Sequence, residues 1–454
     1  MTRCQAPLPL KSALPGLAWP ALPGHGGVRA LALQYQLDKT QWWGAARLEQ
    51  EQMQQLALLL AHAYNTVPFW RDRLAPAGFR PGDVPTPAWL AALPVLTREE
   101  MQQRGAALFC PQLPPDHGTT HDSHTSGSTG RPVAFRSTGI TRMFWLALTL
   151  REHLWQRRDF GGAFAGIRPH VSAGDGVGWG EPTDTALVTG PWHMLNIFTP
   201  VGAQQQWLLE RNPDYLLSLP TNLHALAQAF IESGCKLPRL RQVVSIGEVL
   251  TADTREICRQ AWGVEVADIY SSEEAGYIAL QCPQRAQYHV QSESVYVEVL
   301  DSAGRRCGPG ETGRVVVTAL HNFAMPLIRY ELGDFARVGG ACTCGRGLPV
   351  IDRIAGRTRN MLRLPNGARR WPVFGLAKLL AVAPVRQFQV IQKTLEDIEV
   401  SLVVPERLDA ATERHMSGIL SENLGGEFRI RFRYVDHIES GPTGKFEEFL
   451  CEVR

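Results

Sequence analysis

Residues 125–132, T-S-G-S-T-G-R-P, have the composition of a loop that wraps a polyanion. Glycine lets backbone N–H groups approach phosphate oxygens, hydroxyl groups add donors, and arginine supplies positive charge. An ordinary Ser/Gly surface turn has the same composition, so the segment alone leaves a phosphate loop and a linker open. It is not a Walker A motif, because G-x-x-x-x-G-K-[ST] is absent. The candidate phosphate-binding residues are Thr125, Ser126, Gly127, Ser128, Thr129, Gly130 and Arg131.

Two acidic residues follow segments that resemble strands. Glu274 closes Y-S-S-E-E at 270–274, and a carboxylate there suits Mg²⁺ on nucleotide phosphates, because hard cations take oxygen ligands. A helix N-cap with first-turn glutamates fits the same residues. Asp334 follows Gly333, where its carboxylate can accept hydrogen bonds from two ribose hydroxyls; a hairpin turn is the alternative.

Three cations lie beside glycines. Lys445, one of only six lysines, stands in G-P-T-G-K-F, a flexible arm able to carry a point charge to an anionic site in another domain. An exposed turn lysine is the common alternative. Arg353 and Arg357 flank Gly356 and would bind phosphate or ribose, or cap a domain boundary.

The cysteines number nine, and an odd count argues against a disulfide framework. Cys282, His289, Cys342 and Cys344 form the pattern Cys-x6-His…Cys-x-Cys, four ligands suited to tetrahedral zinc. Both pairs flank a Val-rich antiparallel segment at 294–319, so they can meet in space. We therefore predict a reducing compartment and a structural zinc ion, with free thiols as the alternative to zinc.

Three histidines near the loop form a weaker pattern. His117, His121 and His124 would line up as metal ligands only on a helix, and the glycine and threonines between them argue against one. The chain also lacks a G-x-S-x-G nucleophile elbow. We predict loop histidines, and leave open that one touches substrate or phosphate.

The elements that must position these residues alternate between strand and helix. Residues 240–246 and 264–270 read as strands around a helix at 251–262, and Gly247-Glu248 and Ser271 follow the two strands. This alternation predicts an α/β parallel sheet, whose ligands bind beyond the carboxyl ends of the strands. Upstream, Thr97 and Glu100 predict a helix that begins with a capping box.

A chain of 454 residues exceeds one compact core. We predict a large domain of mixed sheets at 1–356, of which 1–35 form an extended arm, and a small α+β domain at 357–454. The latter reads as a helix at 373–382, strands at 385–393 and 397–404, a helix at 409–423 and a strand at 428–436.

Composition restricts the partners. The net charge of +2 is too small to predict a basic surface that binds nucleic acid or an anionic membrane. The apolar runs are too short for a membrane span, and the proline-rich N-terminus lacks the apolar region of a secretory signal. A cytoplasmic protein is expected.

Five of these segments occur in the order seen in the adenylate-forming superfamily, and they resemble its phenylacetate–CoA ligase branch. Residues 125–132 resemble T-S-G-[ST]-T-G-[KR]-P, 270–274 resemble Y-G-x-[ST]-E, and 330–334 resemble Y-x-[TL]-G-D. Gly356-Arg357 is similar to the G-R hinge, and 442–445 to P-T-G-K. Ser271 and Glu273 depart from the pattern, and Arg131 stands where lysine is commoner.

The resemblance implies a role for each matching position. The 125–131 loop would hold the ATP phosphates, Gly247, Glu248 and Tyr270 would lie near adenine, and Glu274 would hold Mg²⁺. Asp334 and Arg357 would bind ribose, and Arg359 occupies the hinge. Lys445 would contact the carboxylate and the α-phosphate, on a domain that swings away after the first half-reaction.

The implied function is ATP-dependent conversion of an aryl or acyl acid to acyl-AMP, followed by transfer to CoA. Transfer to a carrier-protein thiol or an amine, and a non-catalytic adenylate-binding protein, are the alternatives. A homodimer is left open. The acid pocket is expected within 161–206, although the aromatics there would equally form a packed core. Its candidates are Trp179, Trp192, His193, Met194, Asn196 and Phe198.

Overall fold

The structure is a computed structural model that describes residues 8–124, 133–357, 361–364, 367, 369, 370, 372, 374, 376–438 and 448–453. The α-helices of these residues are α1 (His25–Thr40), α2 (Ala45–Thr66), α3 (Pro68–Leu74), α4 (Pro87–Ala92), α5 (Arg98–Arg104), α6 (Gly139–Trp155), α7 (Glu181–Asp184), α8 (Val201–Arg211), α9 (Pro220–Ser233), α10 (Ala252–Trp262), α11 (Leu376–Val382) and α12 (Ala410–Leu424).

A 12-stranded mixed sheet organises the large unit. Its strands are β3 (Phe164–Arg168), β4 (Gly174–Val177), β5 (Pro191–Asn196), β6 (Tyr215–Ser218), β7 (Gln242–Ile246), β8 (Val266–Ser272), β9 (Gly276–Gln281), β10 (Tyr288–Val290), β11 (Val295–Leu300), β12 (Thr312–Ala319), β13 (Tyr330–Val338) and β14 (Val350–Arg357). The spatial order is β11-β12-β13-β14-β10-β9-β8-β7-β6-β3-β5-β4. Neighbours from β5 through β3, β6 and β7 to β8 are parallel, and the remaining pairs are antiparallel.

Helices cover both faces of the parallel half because successive strand residues point to opposite sides. Val243 of β7 packs into a core with Leu223 of α9 and Cys258 of α10. The next residue, Val244, packs on the other side with Leu148 of α6 and Leu37 of α1. The predicted α/β class with mixed sheets is confirmed.

The antiparallel half of the sheet curls. In a flat sheet, the four strand spacings from β8 to β13 would span roughly 19 Å. Yet the Tyr270 hydroxyl on β8 lies 3.0 Å from a carboxylate oxygen of Asp334 on β13. The two strands therefore approach across the concave side, and side chains far apart in the sheet order meet there.

A second, four-stranded sheet forms the C-terminal unit. Its order is β19-β18-β17-β20, with β17 (Gln387–Gln392), β18 (Asp397–Val403), β19 (Arg429–Tyr434) and β20 (Phe449–Cys451). Leu379 of α11 and Leu420 of α12 share one apolar core with Val390 and Val400 of this sheet. Two short hairpins complete the described structure: β1 (Thr120–His124) pairs with β2 (Ala134–Thr138), and β15 (Leu362–Arg363) with β16 (Arg369–Arg370).

Local sequence signals account for several element boundaries. Thr97 and Glu100 form the predicted capping box at the start of α5, and Thr138 forms another with Thr141 at the start of α6. The helices and strands predicted for the C-terminal unit are all present, displaced by at most three residues. A repeating apolar pattern is a strong signal in such short, regular segments.

Two expectations need correction. The predicted extended arm at 1–35 is extended only up to Gly24 in its described part, because helix α1 begins at His25. The predicted domain boundary between 356 and 357 falls inside β14, which ends at Arg357. No helix among the described residues has the length and apolar content to cross a membrane.

Candidate functional site

Asp334 is held between a tyrosine and an arginine on the concave side of the sheet. Tyr270 donates its hydroxyl to Oδ2 at 3.0 Å, and Nε of Arg357 donates to Oδ1 at 3.1 Å. Arg357 lies directly opposite Asp334 in the β13–β14 register. Each carboxylate oxygen keeps further acceptor capacity, and 16% of the side chain is exposed, so a ligand with two hydroxyl donors can reach it.

The neighbours of Asp334 act as hydrogen-bond donors to its carboxylate. Burial, reinforced by the Asp334 charge, raises the pKa of Tyr270 well above its usual range, so the phenol remains a donor at neutral pH. Asp334 lies within β13 after Gly333, whose φ of 81° is accessible mainly to glycine. The hairpin-turn alternative for this Gly-Asp pair is therefore wrong.

Glu274 lies in the tight turn between β8 and β9. The helix N-cap alternative for this acidic segment is wrong, because β8 continues through Ser271 and Ser272 and then pairs back with β9. One carboxylate oxygen of Glu274 lies 3.5 Å from Nη1 of Arg98 and 3.5 Å from the Tyr330 hydroxyl. At this length the hydrogen bonds are weak, so the carboxylate can still bind a cation or accept a shorter hydrogen bond.

Arg98 was not among the predicted site residues. A bridge between Leu96 and Tyr330 brings it to the site, with backbone hydrogen bonds of 2.9 and 3.0 Å on either side. The capping box at Thr97 then starts α5, so that Arg98 is the first helical residue beside Tyr330. The Thr97–Glu100 capping box predicted that Arg98 lies on a helix. No local sequence pattern predicted its contact with Glu274, 176 positions away.

The remaining predicted nucleotide residues divide into two groups. Gly247 and Glu248 follow β7 as expected, and Oε2 of Glu248 accepts hydrogen bonds from the backbone and hydroxyl of Thr221 at 3.0 and 2.8 Å. The 125–132 loop, Arg359 and Lys445 lie outside the described residues. Their assigned roles stay predictions.

The C-terminal unit contacts the large unit. The Gln228 side chain on α9 donates to the backbone oxygen of Val385 at 3.3 Å. Burial, followed by the charges of Asp253 and Glu248, raises the pKa of Glu448 to about 7. Glu448 is the first described residue after Lys445. The segment that begins at Glu448 therefore lies near Glu248, one of the predicted nucleotide-binding residues.

A cavity of about 540 Å³ opens next to Glu274. Its walls come from β1–β2, from α6 and from residues 319–322. Phe135, Phe144 and Trp145 form its aromatic surface. His121, one of the three histidines near the 125–132 loop, also lines it. A volume of this size accommodates a small organic acid.

The segment 161–206, where the acid pocket is expected, contributes only Glu181 to this cavity. Trp179 instead lies among His153, Phe160, Phe164 and Tyr215, with ring centroids 5.3 to 5.5 Å away. His193 is paired with Asp175 at 2.7 Å. The packed aromatic alternative therefore describes Trp179.

Cys282, His289, Cys342 and Cys344 come together, with their ligand atoms within 4.8 Å of one another. The Sγ atoms of Cys282 and Cys342 are 3.8 Å apart, and Sγ of Cys344 lies 3.2 Å from Nε2 of His289. Two sulfurs on one tetrahedral zinc would be separated by about 3.8 Å. Burial lowers the pKa of His289 to about 4, so the imidazole is neutral, as a metal ligand must be.

Comparison with known proteins supports the resemblance to phenylacetate–CoA ligases. Residues 375–450 match the family described as the CapK C-terminal domain. The chain is 26% identical over 378 residues to the phenylacetate-coenzyme A ligase of Thermus thermophilus, covering 79% of this chain and 82% of that protein. It is 24% identical over 449 residues to the Pseudomonas putida phenylacetate-coenzyme A ligase, covering 94% and 98%.

The fold also matches a solved structure. The 2-hydroxyisobutyryl-CoA ligase in the postadenylation state, in complex with R3-HIB-AMP, superposes with a TM-score of 0.73 at 19% identity, covering 91% of this chain and 92% of that one. The predicted resemblance is thus confirmed: the chain is similar to phenylacetate–CoA ligases over most of its length and has an adenylate-forming fold.

Proposed function

We propose, from this likeness and from the site geometry, that the protein is an AMP-forming acid–CoA ligase. A carboxylate oxygen of the acid attacks the α-phosphorus of ATP, and the bond to pyrophosphate breaks to leave acyl-AMP. The CoA thiolate then attacks the acyl carbon, forming the thioester and releasing AMP. The observation that carries the proposal is the Tyr270–Asp334–Arg357 cluster, which lies beside Glu274 and the adjoining cavity.

Asp334 would bind the ribose, because a carboxylate fixed by two donors retains lone pairs for two hydroxyls. Arg357 keeps that carboxylate oriented, and Tyr270 would lie against the base. Glu274 would hold Mg²⁺ on the phosphates: its carboxylate makes only long contacts with the described residues, and hard cations bind carboxylate oxygens. The bound ion would screen the negative charge of the phosphates during attack.

The 125–131 loop and Lys445 complete the proposed machinery. Backbone donors of the loop would hold the β- and γ-phosphates, and Lys445 would neutralise charge between the carboxylate and the α-phosphate. The proximity of Glu448 to Asp253 and Glu248 supports this assignment, because it places the segment after Lys445 at the large unit.

We take CoA as the acceptor, and a carrier-protein thiol or an amine as the alternatives. The non-catalytic alternative is disfavoured, because Asp334 and Glu274 retain the side chains that adenylation needs. A reaction that consumes ATP and CoA also favours the cytoplasm. The expectation of a homodimer stays a prediction.

The test is pyrophosphate release by the full chain with ATP, Mg²⁺ and a panel of aryl and aliphatic acids. We expect release that depends on the acid, followed by AMP and a thioester when CoA is added. Release without thioester formation would redirect the proposal to a holo-carrier protein or an amine, each supplied in turn. The absence of acid-dependent release with every acid would refute adenylation.

We further propose that the cysteine–histidine cluster holds a structural zinc ion. Cys282 and His289 bracket the β9–β10 turn, and Cys342 and Cys344 lie in the loop before β14, which is paired with β10. A zinc ion would therefore clamp two loops at one end of the sheet. Burial raises the pKa of Cys282 to about 11, a cost that a divalent cation would offset by stabilising the thiolate.

A further inference from the structure

One histidine in the cavity wall is held rigidly. The ring of His321 stacks on Phe144 of α6, with centroids 3.9 Å apart and an angle of 12°. Its Nε2 atom lies 2.8 Å from the backbone oxygen of Glu293. Both residues of the stack line the cavity next to Glu274. The imidazole can therefore neither tilt nor rotate without losing a contact.

The hydrogen bond determines which nitrogen of His321 carries the proton. A backbone oxygen only accepts, so Nε2 must donate. Burial lowers the pKa of His321 to about 4, with a further lowering by His117, so the ring is neutral at physiological pH. Nδ1 consequently presents a lone pair, and it has no hydrogen-bond partner among the described residues. This nitrogen is a fixed acceptor.

A serine hydroxyl lies on the neighbouring segment. Ser294 directly follows Glu293, and its backbone oxygen accepts from the amide of Leu320 at 3.0 Å. Glu293 and Ser294 are therefore hydrogen-bonded to His321 and Leu320, respectively. Ser294 is 9% exposed and lines the cavity, and its Oγ makes no hydrogen bond to a described residue. Two unsatisfied polar groups therefore share one part of the wall.

Several other polar groups of the wall already have partners. The Asn322 amide donates to the backbone of Arg136 and accepts from that of Met325. The Tyr277 hydroxyl pairs with Thr149 at 2.9 Å. Arg142 and Glu181 form an ion pair with each other near the surface. His321 and Ser294 differ from these three groups, because each keeps hydrogen-bonding capacity for a ligand.

We propose that the acid is aromatic and carries a hydroxyl or amino group that donates to Nδ1 of His321, with Oγ of Ser294 as its second partner. This inference rests on the proposed acid activation. Aromatic walls from Phe135, Phe144 and Trp145 match a flat apolar body. A buried acceptor left unpaired is costly, so the site discriminates against the acid that lacks the donor.

The experiment compares each hydroxy- or amino-substituted benzoate and arylacetate with its unsubstituted parent, using acid-dependent pyrophosphate release. For the wild-type chain, kcat/KM for the best substituted acid should exceed that of its parent by about tenfold or more. His321→Gln keeps an amide donor for the Glu293 oxygen but removes the acceptor at the Nδ1 position, and should bring the ratio close to one.

Three further variants separate recognition from folding. His321→Asn keeps an acceptor near the Nδ1 position and should retain part of the preference, whereas Ser294→Ala should lower the ratio by about threefold. His415→Gln, on the exposed face of α12, should leave the ratio unchanged.

A parent acid used as well as its substituted derivatives, or a preference that survives both His321→Gln and Ser294→Ala, overturns the specificity proposal while leaving adenylation intact. If no acid releases pyrophosphate, adenylation fails and the specificity proposal fails with it.

Discussion

Replacing Asp334 with asparagine should weaken ATP binding with little effect on the chemical step. The carboxylate accepts from Tyr270 at 3.0 Å and from Arg357 at 3.1 Å. The amide of Asp334→Asn has one oxygen, so its NH₂ group must face one former donor or turn toward the ribose. At least one charge-assisted hydrogen bond is lost, which costs about 2 kcal/mol, or roughly thirtyfold in affinity.

This loss should appear in KM for ATP, which we expect to rise about thirtyfold while kcat stays within about threefold. The reason is that ribose contacts are equally strong in the ground state and the transition state. The measurement is initial-rate pyrophosphate release at saturating acid, with ATP varied over a hundredfold range or more. Thermal melting of the variant verifies that it is folded.

Asp352→Asn provides a matched control. Asp352 lies on β14 and forms an ion pair with Arg337 of β13, across the same pair of strands. Asp352 is not part of the Tyr270–Asp334–Arg357 cluster, so KM for ATP should be unchanged in Asp352→Asn. A folded Asp334→Asn protein with the wild-type KM would refute ribose binding by Asp334. Equal rises in both variants would mean that the strand pairing, and not the ribose contact, was disturbed.

Three other predictions concern separate parts of the molecule. Lys445→Ala should lower adenylation by at least about a hundredfold while leaving thioester formation from supplied acyl-AMP unchanged; equal loss in both half-reactions would contradict its role. Cys342→Ser should abolish bound zinc in elemental analysis and lower the melting temperature, whereas Cys235→Ser should change neither. Burial, Asp253 and Glu248 raise the pKa of Glu448 above its unfolded value, so folding stability should fall between about pH 4.5 and pH 7 as the carboxyl ionises. Glu448→Gln should therefore raise the melting temperature at pH 8 and have little effect at pH 4.5, and equal shifts at both would contradict burial of the carboxyl.

Several features were predictable because their signals are local. The Thr97–Glu100 capping box and the strands and helices of the C-terminal unit follow from cap chemistry and apolar periodicity within a few residues. The ordered motifs were sufficient to identify the adenylate-forming fold. The zinc candidates were recognisable because soft ligands at close spacing are uncommon outside metal sites.

The sequence by itself identified the candidate side chains, and the tertiary structure decided which of them meet. Tyr270 and Asp334 are 64 positions apart and meet only because the sheet curls. Arg98 reaches Glu274 through the Leu96–Tyr330 bridge, and residues from β1–β2, α6 and 319–322 come together to form the cavity beside Glu274. Such contacts depend on strand order and sheet curvature, which arise from long-range packing and leave no periodic trace in the chain.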